Sequence, residues 1–226
     1  MNEIQPQSVN PFEVKDCALI ALATGKRTQN LSELKEQLID IELDSLYYHF
    51  WGGLLRHPFD DPEYHNDFAI WCARDLHDLK LAERLSVIDP KEYDSLEDLR
   101  SEIIEVIDER LDEIDYPLYV RREDRFEFIR SQIVIFNTGL KIHSPVEFCK
   151  ILPRLSLGSI FYHFIDANRR TPLHIDDFRN WLFNFGDKYK SLITQIAEVD
   201  PYFSSLFTLR DTLSGLFEKH FKRGHN

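Results

Sequence analysis

Apolar residues recur at the spacing of an α-helix along most of the chain. Between residues 31 and 41, leucine and isoleucine fall on one helical face. From Phe126 to Phe136, apolar residues recur at i, i+3, i+7 and i+10, which predicts a further helix. Residues 132–136 are rich in β-branched side chains, which favour strands, so the pattern leaves this short run open between helix and strand.

Polar residues that stabilise helix N-termini precede several of these segments. Asn30 or Ser32 can cap the helix of residues 31–41, and Asp78 can cap a later one. Ser95 precedes a helix that we expect to run to about residue 112. Glycine and proline lie mostly between the segments, as expected of residues that end helices. The pattern therefore predicts a mostly α-helical fold.

A repeat with a spacing of 114 residues organises the chain. Three segments recur at this spacing: Phe12-Glu13 as Phe126-Glu127, Thr24-Gly25 as Thr138-Gly139, and Ser45-Leu-Tyr-Tyr-His-Phe50 as Ser159-Ile-Phe-Tyr-His-Phe164. After a shorter loop, Asp67-Phe68-x-x-Trp71 recurs as Asp177-Phe178-x-x-Trp181, and its aspartate is expected to cap the tryptophan helix. We predict two tandem, internally duplicated helical repeats, packed pseudo-symmetrically, at residues 12–112 and 126–222, joined by a connector at 113–125.

The chain is acidic, with a formal net charge of −12. This charge argues against bulk binding to nucleic acid, because phosphate-backbone binders need a basic surface. Much of the acid lies between Asp89 and Glu113, which is either a solvated helical face or a surface that docks a basic partner. No apolar run reaches the length needed to span a membrane. The three cysteines form no CxxC pair, which favours a reducing cytoplasm.

The paired Tyr-His-Phe segments stand beside other recognisable stretches of sequence: Ala23–Arg27, Asp67–Trp71 and Phe128–Ser131. Together these segments resemble a prokaryotic family catalogued as a domain of unknown function. The resemblance extends over nearly the whole chain and implies a cytoplasmic protein of bacteria or archaea. It implies no activity, cofactor or catalytic residue.

His49 and His163 occupy equivalent positions in the two predicted repeats and are the strongest candidates for chemistry. An imidazole can act as a base, bind a metal or sense protons near neutral pH. If the repeats pack around a pseudo-two-fold axis, the two histidines can face one shared groove. The alternative is structural, with each ring bonded to a backbone carbonyl inside an aromatic core. A Ser–His nucleophile is disfavoured, because Ser45 and Ser159 have no evident orienting acid or oxyanion donors.

Two arginines follow the histidines at a matched distance. Arg56 and Arg170 can bind carboxylate or phosphate in a bidentate fashion, which predicts an anion site near each histidine helix. They can equally form ion pairs with acids that recur in both repeats. Those acids are Glu33, Glu147, Asp67 and Asp177. The candidate ligand-binding residues are therefore Tyr48, His49, Arg56, Tyr162, His163 and Arg170.

The pair His77-Asp78 suggests a comparison with helical metal phosphohydrolases. His49 and either Asp108 or Asp112 would complete a loosely suitable set of metal ligands. The second repeat has no histidine near the matching place, so capping of a helix explains Asp78 better. We assign no metal site and identify no cofactor. The chain also has no P-loop, dinucleotide fingerprint, zinc-protease motif, nucleophile elbow or EF-hand loop.

Matched polar residues without a catalytic constellation favour a non-catalytic, cytoplasmic binding or regulatory module. We expect this module to hold a small anionic metabolite or a protein partner. The first alternative is a metal- or histidine-dependent enzyme that acts on a phosphorylated small molecule through His49 and His163. The second alternative is a structural homodimer with charge-complementary halves. Neither a membrane nor bulk nucleic acid is expected as a partner.

Overall fold

Two long strands replace part of the predicted helical pattern. In the computed structural model, which describes residues 9–55, 64–171, 173–202 and 205–223, β1 spans Phe12–Thr28 and β2 spans Phe126–Ile142. The strands form a two-stranded antiparallel sheet. The prediction of a mostly α-helical fold, built as two tandem helical repeats packed pseudo-symmetrically, is therefore wrong, because the fold combines helices with this sheet.

The helix expected from Phe126 to Phe136 lies entirely within β2. Phe126 and Phe128 are buried while Glu127 is exposed, which is the two-residue alternation of a strand. Residues 132–136, which the sequence left open, are strand as well. Gly139 has the left-handed conformation that a helix end would need, with a φ of 74°, but it adopts this conformation inside β2.

The chain divides into two compact units, and both divisions fall inside strands. The contiguous unit comprises Leu19–Ile133. The split unit combines the chain up to Ala18 with the chain from Val134 onward. Each unit therefore contains part of β1 and part of β2. The predicted repeats begin instead at Phe12 and Phe126, and their boundaries stay a prediction about the sequence.

The contiguous unit is built around one apolar helix. Its elements besides the strands are α1 (Leu31–Asp40), α2 (Leu43–Leu55), α3 (Asp67–Arg74), α4 (Leu79–Ser86), α5 (Leu96–Glu113) and a 3₁₀ turn (Arg122–Asp124). Helix α2 is apolar on nearly every face, and it is buried from Ser45 to Gly52. Of the two cap candidates for α1 the cap is Asn30, and capping by Asp78 is confirmed, since the side chain of each accepts a first-turn N–H. Ser95, at which a helix was expected to begin, caps α5 in the same way.

The split unit carries the second Tyr-His-Phe segment on a less regular helix. Its helices are α6 (Phe148–Ile151), α7 (Leu157–Ile160), α8 (Ala167–Arg170), α9 (Asp177–Leu182), α10 (Lys190–Ala197) and α11 (Leu206–Arg223). A π-helical turn at Phe161–Asp166 joins α7 to α8, and every residue of this turn is buried. 3₁₀ turns lie at Pro145–Glu147 and Leu152–Arg154, and a 3₁₀ segment that is interrupted at Gly186 spans Phe183–Tyr189. Among the described helices, none has both the length and the hydropathy needed to cross a membrane.

Acidic side chains of α5 are partly paired within the contiguous unit. The carboxylate of Glu113 accepts hydrogen bonds from Arg84 at 2.6 Å and Arg110 at 3.1 Å, and it lies 2.9 Å from Lys80. The Arg84 bond, with these neighbours, holds the pKa of Glu113 at about 2, below its ordinary value of 4.5. The ion pairs therefore stabilise the fold fully above about pH 4.5, and this stabilisation is lost as the pH falls toward 2.

We predict that Glu113→Gln lowers the free energy of unfolding at pH 7 and flattens its dependence on pH in the acid range. The reason is that glutamine carries no charge for the three basic neighbours to stabilise. Urea denaturation at a series of pH values measures both effects. Glu105→Gln, on an exposed position of the same helix, is the matched control. Coincident acid profiles for the wild type and Glu113→Gln would contradict the prediction.

Candidate functional site

His49 is buried in the contiguous unit, where it joins a helix to a strand. The ring is 2% exposed. The backbone N–H of Ile129, in β2, donates to Nε2 at 3.1 Å. Nδ1 lies 2.9 Å from a carboxylate oxygen of Asp67. Because Nε2 accepts a hydrogen bond, the network assigns the ring proton to Nδ1. The Nδ1–H group then donates a hydrogen bond to Asp67.

His163 makes the same pair of contacts in the split unit. The backbone N–H of Lys15, in β1, donates to Nε2 at 2.8 Å. Nδ1 lies 2.7 Å from a carboxylate oxygen of Asp177. Both ring nitrogens of each histidine are therefore bonded within the protein. The structural alternative in the sequence analysis predicted that each ring bonds a backbone carbonyl. The backbone group that bonds each ring is instead an N–H.

An aromatic pocket beside His49 holds the start of β2. The ring of Phe126 lies 4.7 Å from the ring of His49, and it also packs against Phe68 and Trp71. The indole N–H of Trp71 donates to the backbone carbonyl of Asp124 at 2.8 Å. The strand is therefore held at three points along its length: the carbonyl of Asp124, the ring of Phe126 and the N–H of Ile129.

An equivalent pocket beside His163 holds the start of β1. The ring of Phe12 lies 4.7 Å from the ring of His163, and it stacks on Phe178 and packs edgewise against Trp181. The indole N–H of Trp181 donates to the backbone carbonyl of Asn10 at 2.7 Å. We call the set of Trp181, Phe178 and His163 a strand-binding groove, and we use the same term for Trp71, Phe68 and His49. The two grooves use residues that correspond in the sequence alignment of the repeats.

In the split unit the strand also approaches a helix backbone very closely. The Cys17 thiol lies 3.3 Å from the carbonyl oxygen of Gly158. A Cβ atom on Gly158 would collide with the backbone carbonyl of Cys17 and the side chain of Asp16. Burial raises the pKa of Cys17 to about 12, so this thiol is protonated at neutral pH. Only glycine fits at residue 158 without moving β1.

Arg170 lies in a network that offsets its charge. Its Nε donates to Asp166 at 2.8 Å, and its Nη2 donates to Asp177 at 3.0 Å and to the Tyr162 carbonyl at 2.8 Å. The guanidinium carbon lies 3.7 Å from the centre of the Tyr162 ring. Two carboxylates thus share the positive charge that an anionic ligand would need. This outcome matches the ion pair with Asp177 that the sequence offered as an alternative.

The other predicted site residues lie near the grooves or outside the described residues. Tyr48 neighbours His49 on α2, and its ring would be 2.9 Å from a Cβ atom on Gly52. Arg56 lies outside the residues that the structure describes. The residue that corresponds to Gly52 in the other unit is Asp166, which is buried and binds Arg170. The two units therefore differ in charge at this position.

Two functional pairs were assigned wrongly or missed from the sequence. Asp67 and Asp177 were expected to cap helices, but Asn66 and Asp176 are the caps of α3 and α9. Each of the two aspartates bonds a groove histidine instead. The signal was present, since a histidine and an aspartate that recur together suggest a pair. Trp71 and Trp181 are buried, and nothing in the sequence predicts the hydrogen bonds that their indole N–H groups donate to the strands.

Asp78, which suggested the comparison with metal phosphohydrolases, has a structural role. One oxygen of Asp78 accepts the N–H of Leu81 at 3.1 Å, which confirms capping, and the other accepts from Arg110 at 2.8 Å. Asp108 bonds Lys35 at 2.5 Å. Across the described residues, no group of three or more His, Cys, Asp or Glu side chains is arranged to hold a metal ion.

A shallow acidic cavity of about 320 Å³ lies beside α5 in the contiguous unit. Four of its lining residues are acidic: Asp89, Glu92, Glu102 and Glu109. Val87, Tyr93 and Val106 supply apolar parts of the wall. Most of the lining belongs to the acidic run, for which the sequence left both a solvated face and a docking surface open, while Arg84, Val87 and Ile88 precede that run.

Comparison with known proteins places the chain in a family. A model described as a family of unknown function, DUF5752, matches residues 9–218. The chain belongs to the DUF5752 family. The resemblance to a family of unknown function is thereby confirmed, and the match includes both strand-binding grooves.

One solved structure extends the comparison beyond the DUF5752 match. The chain is similar to the structure of OrfY from Thermoproteus tenax, with 27% sequence identity and a TM-score of 0.79. The similarity covers 94% of this chain and 96% of that chain. A comparison with curated proteins found no match.

Proposed function

We propose that this chain is a non-catalytic binding module of the prokaryotic cytoplasm, and that it holds extended polypeptide strands. The observation that carries the proposal is the recurrence of one set of contacts in both units. In each, a tryptophan N–H, an aromatic pocket and a histidine Nε2 engage a strand. All three cysteines are free thiols, which supports a reducing compartment.

The chemistry of the histidines favours binding over catalysis. A general base needs an unoccupied nitrogen within reach of a substrate proton. Nε2 of His49 and of His163 each accepts a backbone N–H, and each Nδ1 is bonded to an aspartate. The aspartates orient the rings toward the strands. The imidazoles thus serve as acceptors for main-chain N–H groups, and hydrogen bonds to the main chain supply affinity where extended strands are recognised.

The groove contacts also favour a polypeptide over a small anion. The charge of Arg170 is shared by Asp166 and Asp177, so little of it is available to an anionic metabolite. The bound segments share a pattern instead: phenylalanine, an exposed glutamate, a buried apolar residue and then a donating N–H. The two examples begin at Phe12 and Phe126. A protein partner would be recognised by this pattern.

A labelled peptide tests the groove of the split unit directly. The peptide comprises residues 9–18, with Cys17→Ser and an N-terminal fluorescein, and it is titrated with the full-length Phe12→Asp chain. We expect saturable binding by fluorescence anisotropy, because the substitution weakens the chain's own strand in the groove. Binding should be at least tenfold weaker for a peptide with Phe12→Ala, and unchanged for a peptide with Ala18→Gln, because Ala18 is exposed.

A second readout covers the case in which Phe12→Asp does not fold alone. The peptide is then added during refolding, and recovery of the helical circular dichroism signal is expected because the peptide supplies the missing strand. A folded Phe12→Asp chain that does not bind the peptide, or an unfolded one that the peptide does not rescue, would overturn the proposal.

A further inference from the structure

The split unit depends on a strand that is distant from it in sequence. We define the arm as residues 9–18, the part of the chain that precedes Leu19 in the structure. The arm supplies Phe12 to the aromatic pocket and the Lys15 N–H to His163. Everything else in this unit comes from Val134 onward. The intervening residues form the contiguous unit, so the arm is joined to its groove only through a separate compact unit.

The groove is incomplete without an arm. Removing the arm would leave the Nε2 atom of His163 and the indole N–H of Trp181 without their present partners. It would also expose the pocket that now contains Phe12, a side chain that is 5% exposed. Buried polar groups without partners and exposed aromatic pockets both raise the free energy of the protein. Binding of any strand with the same pattern to the emptied groove is therefore favourable.

The arm can be exchanged without a change in the contacts that hold it. An arm that leaves its groove has to change direction at one place, between Ala18 and Leu19, where β1 passes into the contiguous unit. Exchange of identical elements between copies recreates the contacts of the monomer, which makes it a low-cost route to dimers. The equivalent segment of β2 belongs to the same contiguous unit as its groove, so it has no such separation in sequence.

We propose that the groove of the split unit binds the arm of a second copy of this chain, which gives a homodimer with reciprocally exchanged arms. This inference rests on the proposed strand-binding function and names the partner. The arm carries the required pattern in full: the Asn10 carbonyl, Phe12, Val14 and the Lys15 N–H. The arm of a second copy competes with the arm of the same chain, whose effective concentration is in the millimolar range. Formation of the homodimer therefore depends on protein concentration and is expected in that range.

The test uses the intact wild-type chain in ¹⁴N and ¹⁵N forms, mixed in equal amounts at about 1 mM. The mixture is warmed below the unfolding transition, dimers are isolated by size-exclusion chromatography, and lysines are cross-linked. Glu13 bonds both Lys15, in the arm, and Lys141, in β2, so these two lysines are close enough to be linked. We expect heavy–light Lys15–Lys141 links in the dimer fraction, with about half of all such links being mixed.

Two variants separate arm exchange from other modes of association. Phe12→Asp should abolish the dimer at the same concentration, whereas Ala18→Asp adds the same charge at an exposed arm position and should retain it. If Phe12→Asp does not fold, the isotopic pattern of the wild type alone decides. A wild type that stays monomeric, or that forms dimers with only heavy–heavy and light–light links, overturns the inference. Peptide binding to the groove would survive that outcome, so the two proposals can fail independently.

Discussion

Replacing Gly158 with alanine is expected to destabilise the protein by about 3 kcal/mol, because overpacking a close contact costs on this order. A Cβ atom at residue 158 would collide with the carbonyl oxygen of Cys17 and with the side chain of Asp16. The first of these is a backbone atom, which cannot rotate away. The strand would have to move off α7, and the Cys17 hydrogen bond to the Gly158 carbonyl would be lost. Chemical denaturation of the variant and the wild type measures the difference.

Gly215→Ala is the matched control for this prediction. Gly215 is exposed in α11, and a Cβ atom there would meet nothing within 4 Å. Alanine is favoured over glycine in a helix, so this variant is expected to gain about 0.5–1 kcal/mol. The same chemical change should therefore act in opposite directions at the two positions. Equal stabilities of Gly158→Ala and the wild type would show that β1 and α7 are not in close contact.

Replacing His163 with alanine is also expected to cost about 3 kcal/mol, from a buried donor without an acceptor and a small cavity. The N–H of Lys15 would lose its acceptor, and Asp177 would keep Arg170 but lose the imidazole. His49→Ala should have a similar effect in the contiguous unit, because its ring makes the same two bonds. Urea unfolding curves of both variants measure these losses.

His143→Ala controls for the removal of an imidazole, since His143 is exposed. We expect its unfolding free energy to change by less than about 0.5 kcal/mol, as for most surface substitutions. A cycle that combines His163→Ala with Asp177→Asn tests the pair itself, and the two losses should not add. If His163→Ala were as stable as the wild type, the ring would have no role in holding β1, and the ligand-binding hypothesis for His163 would regain support.

Helix caps could be predicted from sequence because they depend on local chemistry. Asn30, Asp78 and Ser95 bond N–H groups within their own first turns, and no distant residue decides the outcome. The strands were missed for the opposite reason. From Val134 to Lys141 every residue of β2 is at least partly exposed, so the two-residue alternation that marks Phe126 and Phe128 fades along the strand.

The candidate site was found in part because its side chains recur. His49 and His163 stand out because both lie in a Tyr-His-Phe triplet at the repeat spacing, and both lie in grooves. Their strand partners could not be found in this way, since the bonding groups are main-chain N–H groups that any residue type supplies. The packing of Phe12 against residues that follow Val134 depends on how the whole chain folds. Neither the composition nor the spacing of residues predicts it.

The division of the split unit also sets the order in which the protein can be completed during synthesis. All residues of the contiguous unit have been made once Ile133 is added, whereas the arm is made first and its groove requires Trp181. At about 5–20 residues per second, the arm precedes Trp181 by roughly 10 to 30 s. During that interval the groove of the split unit, which binds Phe12 and Val14 in the finished protein, has not yet been made. Each newly made chain therefore passes through a stage in which its first strand is exposed to other proteins, including chaperones and neighbouring copies.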